Sequence, residues 1–286
     1  MPILDAPLPR MAGRLSFMRA ARKQLEDVNS GDLAVVGLPF EDINADNAGQ
    51  SLAARGLRET SVYFGWHANP QFSHPVDVDD RKIISTDGIF EKMSDLGDLV
   101  HPPSPQGVAQ LSETLGQIGA RALYLGGTQS VALEVAADRP VISLGGAIKD
   151  PSWLALAPLS GPGLAADPSR PVRKIEQLVD EHLSGRQDAT VIFDLSVFSS
   201  SLSGLCDRAR LGGCGLPEVA LWMSVLGERS VQSVFLTGLN PTLSGMGIIK
   251  TGQRLMVTAL LSYIYAALGA ATSAADTIKS LEESAL

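Results

Sequence analysis

Few residues of this chain stand where an α/β enzyme would carry its chemistry. Two short apolar runs, Ala122 to Leu125 and Val141 to Leu144, each close on a Gly pair, and Ser130 to Ala137 between them has helical spacing. The pattern predicts a βαβ unit over Arg121 to Asp150: two parallel strands of one sheet and a crossover helix. Ligands of open α/β folds bind beyond the carboxyl ends of such strands, here Gly126-Gly127-Thr128-Gln129 and Gly145-Gly146-Ala147-Ile148. Neither of these strand ends carries an acid, imidazole or thiol, and the first acid beyond the second of them is Asp150. A third run, Thr190 to Phe193, ends on Asp194, with Leu195, Ser196 and a Ser-rich loop after it. Asp194 is the best-placed carboxylate of the chain, fitted either for chemistry or for capping the element that follows.

Other candidates read first as structural. Asp95 and Asp98, in DLGDL, have the type of general acids or metal ligands, but Asp around Leu and Gly also serves to hydrogen-bond a loop backbone, and that role is expected here. Arg58 has the chemistry of an anion site and the commoner use of a helical Arg in an ion pair, which is again the expectation. His67, His74, His101 and His182 are scattered, none at a strand end and none beside a nucleophile turn. Gly212 to Gly215 completes no dinucleotide fingerprint, and SGMGIIKT lacks the spacing that wraps a phosphate. Cys206 and Cys214 are too few for a disulfide framework and want two more partners for zinc, so reduced cytosolic thiols are expected. Lys149 beside Asp150 reads as an ion pair.

These positions need a scaffold, and the remaining runs supply one. Leu33 to Phe40 is continuously apolar, the profile of a strand buried on both faces that opens the sheet. A helix with a buried side is expected around Leu52, Leu57, Val62 and Phe64, a short strand over Lys82 to Ser85, and helices over Gln106 to Ala120 and Arg173 to Leu183. A further helix starts near Pro217 with Glu218 in its first turn, and Val234 to Leu236 is another strand. Residues 158 to 171 form a Pro/Gly loop suited to binding. Leu255 to Ala271 is apolar all round but short for a span, broken by Thr258 and Ser262 and without flanking anchors, so a buried core helix is expected.

The 286 residues, 45% of them hydrophobic, suffice for one large α/β domain over residues 31–286, preceded over residues 1–30 by an arm leading into an amphipathic helix. That first segment has five basic residues but no apolar core, so no secretory signal is expected. A net charge of −8 with no Lys/Arg run argues against nucleic acid.

From Leu33 to Leu268 these landmarks resemble the ureohydrolase family, that of arginase, agmatinase, formiminoglutamase and guanidine hydrolases. VVGLPF is similar to the family's first strand, AGQSLAARGLRETS to its Gly-rich helix start, DLGDL to a family signature and KTGQRLMVTALL to its final helix. The resemblance implies an α/β three-layer sandwich with a mostly parallel central sheet, arginase-like. It also implies lost function. The family's Gly-Gly-Asp-His-Ser is here Gly126-Gly127-Thr128-Gln129-Ser130; its Asp-Ala-His-x-Asp is Gly146-Ala147-Ile148-Lys149-Asp150; its Asp-x-Asp is Asp194-Leu195-Ser196. The Glu that contacts the guanidino group, in a Glu-x-Asn-Pro context, is Gly238 before Leu239-Asn240-Pro241. Of the metal ligands only Asp150 and Asp194 remain, and Gln129, Gly146, Ile148, Ser196 and Gly238 are vestigial positions.

A binuclear metal centre lowers the pKa of a bridging water only when several anionic or imidazole ligands hold both ions, and two carboxylates are not enough. The expectation is therefore a chain with no catalytic residue, metal or cofactor of its own. It would be the non-catalytic subunit of a cytoplasmic hetero-oligomer, hexameric as the family's assemblies often are. A metal-competent ureohydrolase paralogue would carry two metal ions, nickel by resemblance, and act on a guanidino or biguanide compound. The alternatives are a regulatory protein that binds a guanidino compound through Asp150 and Asp194 without any partner, and a re-invented enzyme using Lys149 or Cys214.

Overall fold

The computed structural model describes residues 15–41, 49–64, 76–77, 82–84, 88–99, 104–136, 139–145, 152–155, 169–186, 188–198, 213–229, 231–241, 246–269 and 272–274. In chain order the strands are β1 (Ala21–Arg22), β2 (Leu33–Gly37), β3 (Val76–Asp77), β4 (Lys82–Ile84), β5 (Met93–Asp98), β6 (Arg121–Leu125), β7 (Val141–Leu144), β8 (Leu154–Ala155), β9 (Thr190–Asp194), β10 (Ser233–Thr237) and β11 (Thr272–Ala274). The α-helices are α1 (Ala53–Ser61), α2 (Pro105–Ile118), α3 (Gln129–Ala136), α4 (Ser169–Leu183), α5 (Leu216–Glu228) and α6 (Met246–Ala267).

Eight strands form one sheet in the order β1-β5-β2-β6-β10-β9-β7-β8, every neighbouring pair parallel. Alternation along the strands sorts the core into two layers. Val35, Leu123, Leu125, Val191, Phe193, Val234 and Leu236 point to the side covered by α1, α4, α5 and α6. Ala34, Val36, Ala122, Tyr124, Ile192 and Phe235 point to the side covered by α2 and α3. Both faces of the sheet are thus buried, which is why these strands are continuous apolar runs rather than alternating ones. The result is a three-layer α/β sandwich.

The predicted βαβ unit is present, with a refinement. β6 and β7 lie parallel in the same sheet with α3 between them in sequence, but β10 and β9 stand between them in space. The carboxyl ends of β6, β10, β9 and β7 consequently lie side by side, although they come from distant parts of the chain.

The first segment departs from expectation, and two other readings are met. Residues 15–30, the described part of the first segment, contain no α-helix: Phe17–Arg19 and Leu25–Asp27 are single 3-10 turns, and Ala21–Arg22 adds an edge strand, so the sheet opens one strand before Leu33. The reason is tertiary. Phe17 and Met18 are consecutive buried residues that join the core beneath α1, and their N–H groups donate to the side chains of Asp95 and Ser61 rather than to a helical turn. The strand expected over Lys82 to Ser85 lies outside the main sheet, in an antiparallel three-stranded one ordered β11-β4-β3. The apolar stretch from Leu255 is a core helix, with Met256, Val257, Leu260, Tyr263 and Ile264 fully buried, and no helix among the described residues is long and apolar enough to cross a membrane.

Candidate functional site: the carboxyl ends of the central strands

Asp194 ends β9 and is 7% exposed. Its two oxygens are shared by three donors. The backbone N–H of Ser196 and the Ser196 hydroxyl donate to Oδ1 at 3.0 and 2.7 Å, and the Thr237 hydroxyl donates to Oδ2 at 2.7 Å. Thr237 ends β10 and faces Asp194 in the parallel register. Asp194 is therefore the cap of the 3-10 turn Leu195–Val197, one of the two roles its position allowed, and also a link between two strand ends.

Beside it stands Gly238, with φ +76°, where a Cβ would lie 2.5 to 2.7 Å from the Asp194 carboxylate. On the other side Gly145 follows β7 with φ +86°, where a Cβ would lie 2.6 Å from the Val197 nitrogen and 3.0 Å from the Asp194 carbonyl oxygen. Non-glycine residues rarely adopt this left-handed region, and here there is no room for a side chain either. At the end of β6, Gly126 donates its N–H to the Leu236 carbonyl at 3.0 Å, the Thr128 and Ser130 hydroxyls meet at 2.8 Å, and half-buried Gln129 opens α3.

The structure thus brings Asp194, Ser196 and Gly238 together on neighbouring strand ends and places Gln129 at the start of the helix that follows β6. Gly146, Ile148, Lys149 and Asp150 lie outside the described residues, as do residues 158–168, His67, His74, His101 and Cys206. His182 is structural: its Nε2 donates to the Val141 carbonyl at 3.0 Å. Sequence reading missed Thr237, although a hydroxyl residue ending a strand that abuts an Asp is the signal that finds it.

The described donors do not fit a binuclear metal centre. Asp194 has both oxygens engaged by neutral donors, Gln129 offers an amide where an imidazole is wanted, and Gly238 offers nothing. Among the described residues no group of three His, Cys, Asp or Glu side chains is placed to hold an ion. Cys214 is no substitute nucleophile. It is 3% exposed, and burial, with Glu218 nearby, pushes its thiol up to about 12. Its backbone donates to the Val197 carbonyl at 2.8 Å, tying the segment before α5 to the turn after Asp194.

The second acidic element turns out to be a buried ion pair. Asp95 is 0% exposed and takes Arg58 in a two-point contact, Nε to Oδ2 at 2.9 Å and Nη2 to Oδ1 at 3.0 Å. The N–H groups of Phe17 and Gly97 also donate to it, at 2.7 and 2.9 Å. Arg58 reaches Asp98 and the Gly97 carbonyl besides. Burial works against the Arg58 charge, but Asp95 and Asp98 outweigh it and hold the guanidinium above its ordinary range. Residues three apart on a regular strand face opposite sides. Both acids meet one Arg because the β2–β5 register slips by one residue, Val35 pairing with Asp95 and Val36 with Gly97.

Comparison with solved structures gives the same architecture throughout. A hypothetical agmatinase from Burkholderia thailandensis superposes with TM-score 0.64 at 17% identity, over 90% of this chain and 92% of that one. Proclavaminate amidino hydrolase from Streptomyces clavuligerus gives 0.63 at 16%, over 91% and 100%. Formiminoglutamase from Trypanosoma cruzi, oxidized and with Mn2+, gives 0.58 at 15%, over 90% and 98%. No protein-family model matches the chain, and no curated protein sequence does. The fold is that of the arginase, agmatinase and formiminoglutamase structures.

Proposed function

We propose that this chain is a ureohydrolase-fold protein that has kept the scaffold and given up the reaction, and that it works as the non-catalytic subunit of a hetero-oligomer. Its partner is a metal-competent paralogue carrying two metal ions, nickel by resemblance, in a hexameric assembly. The observation that carries the reading is the state of Asp194. At the described ends of the four central strands it is the single carboxylate, and both its oxygens accept from Ser196 and Thr237. An intact framework with such a centre is what remains when packing is kept and chemistry is not.

A subunit of this kind acts through its surface. Oligomers of this fold present self-complementary faces, and a second copy that binds only the folded partner stabilises it by mass action and orders the loops at its site. The substrate suggested by the resemblance is the biguanide metformin, which with one water gives guanylurea and dimethylamine. The partner-free alternative, capture of a guanidinium by Asp150 and Asp194, is disfavoured at Asp194, where a bidentate contact would have to displace the Thr237 and Ser196 donors.

Co-expression tests this. The chain is produced alone, the metal-competent paralogue of the same host alone, and the two together, and dimethylamine release from metformin is followed with nickel supplied. The pair should co-elute in fixed ratio and turn over substrate at least ~10-fold faster than the paralogue alone, a difference worth about 1.4 kcal/mol of barrier. Equal rates with and without this chain, or failure to co-elute, would sink the proposal.

A further inference from the structure

We infer that Asp194 forms the core of a closed clasp that fastens the ends of β9 and β10 and packs tightly against the end of β7, and that Gly238 is glycine because the Asp194 carboxylate fills the space of its side chain. Two independent observations meet here. The hydrogen bonds turn the carboxylate across the strand ends, Oδ2 to Thr237 on β10 and Oδ1 back to Ser196 on its own turn. The packing then leaves no room on either flank. A Cβ at 238 would meet the carboxylate at 2.5 to 2.7 Å, and a Cβ at 145 would meet the Val197 backbone at 2.6 Å. Real Cβ atoms do not approach that closely, so each flank accepts glycine alone unless the turn moves.

The clasp has a conformational consequence. It fixes Leu195–Val197, all buried, and through the Phe198–Cys214 bridge and the Cys214 N–H to Val197 O bond it sets where α5 begins. It also makes a side chain at 238 and the present Asp194 conformation mutually exclusive. Restoring an acid at 238 by one substitution cannot build a cation site beside Asp194, because the new side chain evicts the old carboxylate or fails to fit. The clasp rests on the same Asp194 hydrogen bonds that carry the subunit reading, but the two tests separate them: failed co-expression with an intact mutant cycle counts against the subunit reading alone, and a failed cycle with co-elution counts against the clasp alone.

A double-mutant cycle on the full chain tests it. Gly238→Ala should lower the unfolding midpoint by roughly 3–8 °C, and by less than about half of that in an Asp194→Ala background, where the crowding carboxylate is gone. The left-handed strain at 238 is common to both backgrounds and cancels from the difference. Equal losses in the two backgrounds would overturn the inference, as would failure of the Gly238→Ala chain to fold in both; failure only where Asp194 is present supports it. Residue-resolved hydrogen exchange supplies a second readout. The Ser196 amide should lose protection at least ~10-fold in Asp194→Ala while that of Ile192, within β9, is unchanged. Unchanged protection at Ser196 would contradict the clasp.

Discussion

At the scale of single residues the most constrained group is Asp95, a carboxylate without solvent contact that accepts from Arg58 twice and from two backbone N–H groups. A buried pair of this kind adds little stability over an apolar replacement, but removing one partner strands the other charge. Asp95→Ala should therefore cost about 3–5 kcal/mol, since Arg58 would be left buried and two N–H groups unanswered. Asp98 meets the same guanidinium with its side chain 48% exposed, so water replaces it and Asp98→Ala should cost under about 1 kcal/mol. Urea titrations of the two variants check the contrast, and similar losses would mean that Arg58 is paired mainly at the surface. Sequence alone made Arg58 and the two acids structural. It could not show that they share one site, because the extra residue that brings both acids to one face leaves no mark in the pattern. Asp194 was likewise legible by position, at the end of an apolar strand, while the direction of its carboxylate depends on Thr237, 43 residues away.

Among elements, the apolar runs were legible and the two-residue strands were not; β5, the longest described strand, read as a loop because its Asp and Gly residues interrupt the apolar pattern. β2, β6, β7, β9 and β10 announce themselves as apolar runs because α-helices cover both sides of the sheet. β1, β3 and β8 have two residues each, too few to express any period, and they form only because neighbouring strands offer partners. One contact between elements carries a prediction. Arg121, at the start of β6, donates through Nη1 to the Gly227 carbonyl at 3.2 Å and the Ala267 carbonyl at 2.8 Å, the last turns of α5 and α6. A cation at two helix C-termini satisfies carbonyls that have no helical partner and opposes both dipoles. Arg121→Ala should cost about 1–2 kcal/mol and Arg121→Lys less than half of that, with exchange of amides in the last turns of both helices accelerating most. A loss confined to one helix would show that the second contact contributes nothing.

For the whole molecule, fold and chemistry separate. The three-layer sandwich depends on alternation along a few strands and on helix amphipathicity, which tolerate wide change of residue, so the architecture survives at 17% identity to an agmatinase structure. A metal centre depends on particular side chains at particular strand ends and tolerates almost none. The test of that separation is metal retention by the full chain alone, and the molecule's charge dictates how to run it. At a net −8 the surface collects divalent cations without any built site, and such binding is screened over about 10 Å at 0.1 M salt and about 3 Å at 1 M. After incubation with nickel or manganese and dialysis, any metal carried at low salt should fall well below one ion per chain as salt rises toward 1 M, because only coordination by several ligands at once resists screening. Two ions per chain retained at high salt would overturn the non-catalytic reading and return the ends of β6, β7, β9 and β10 to the status of an active centre.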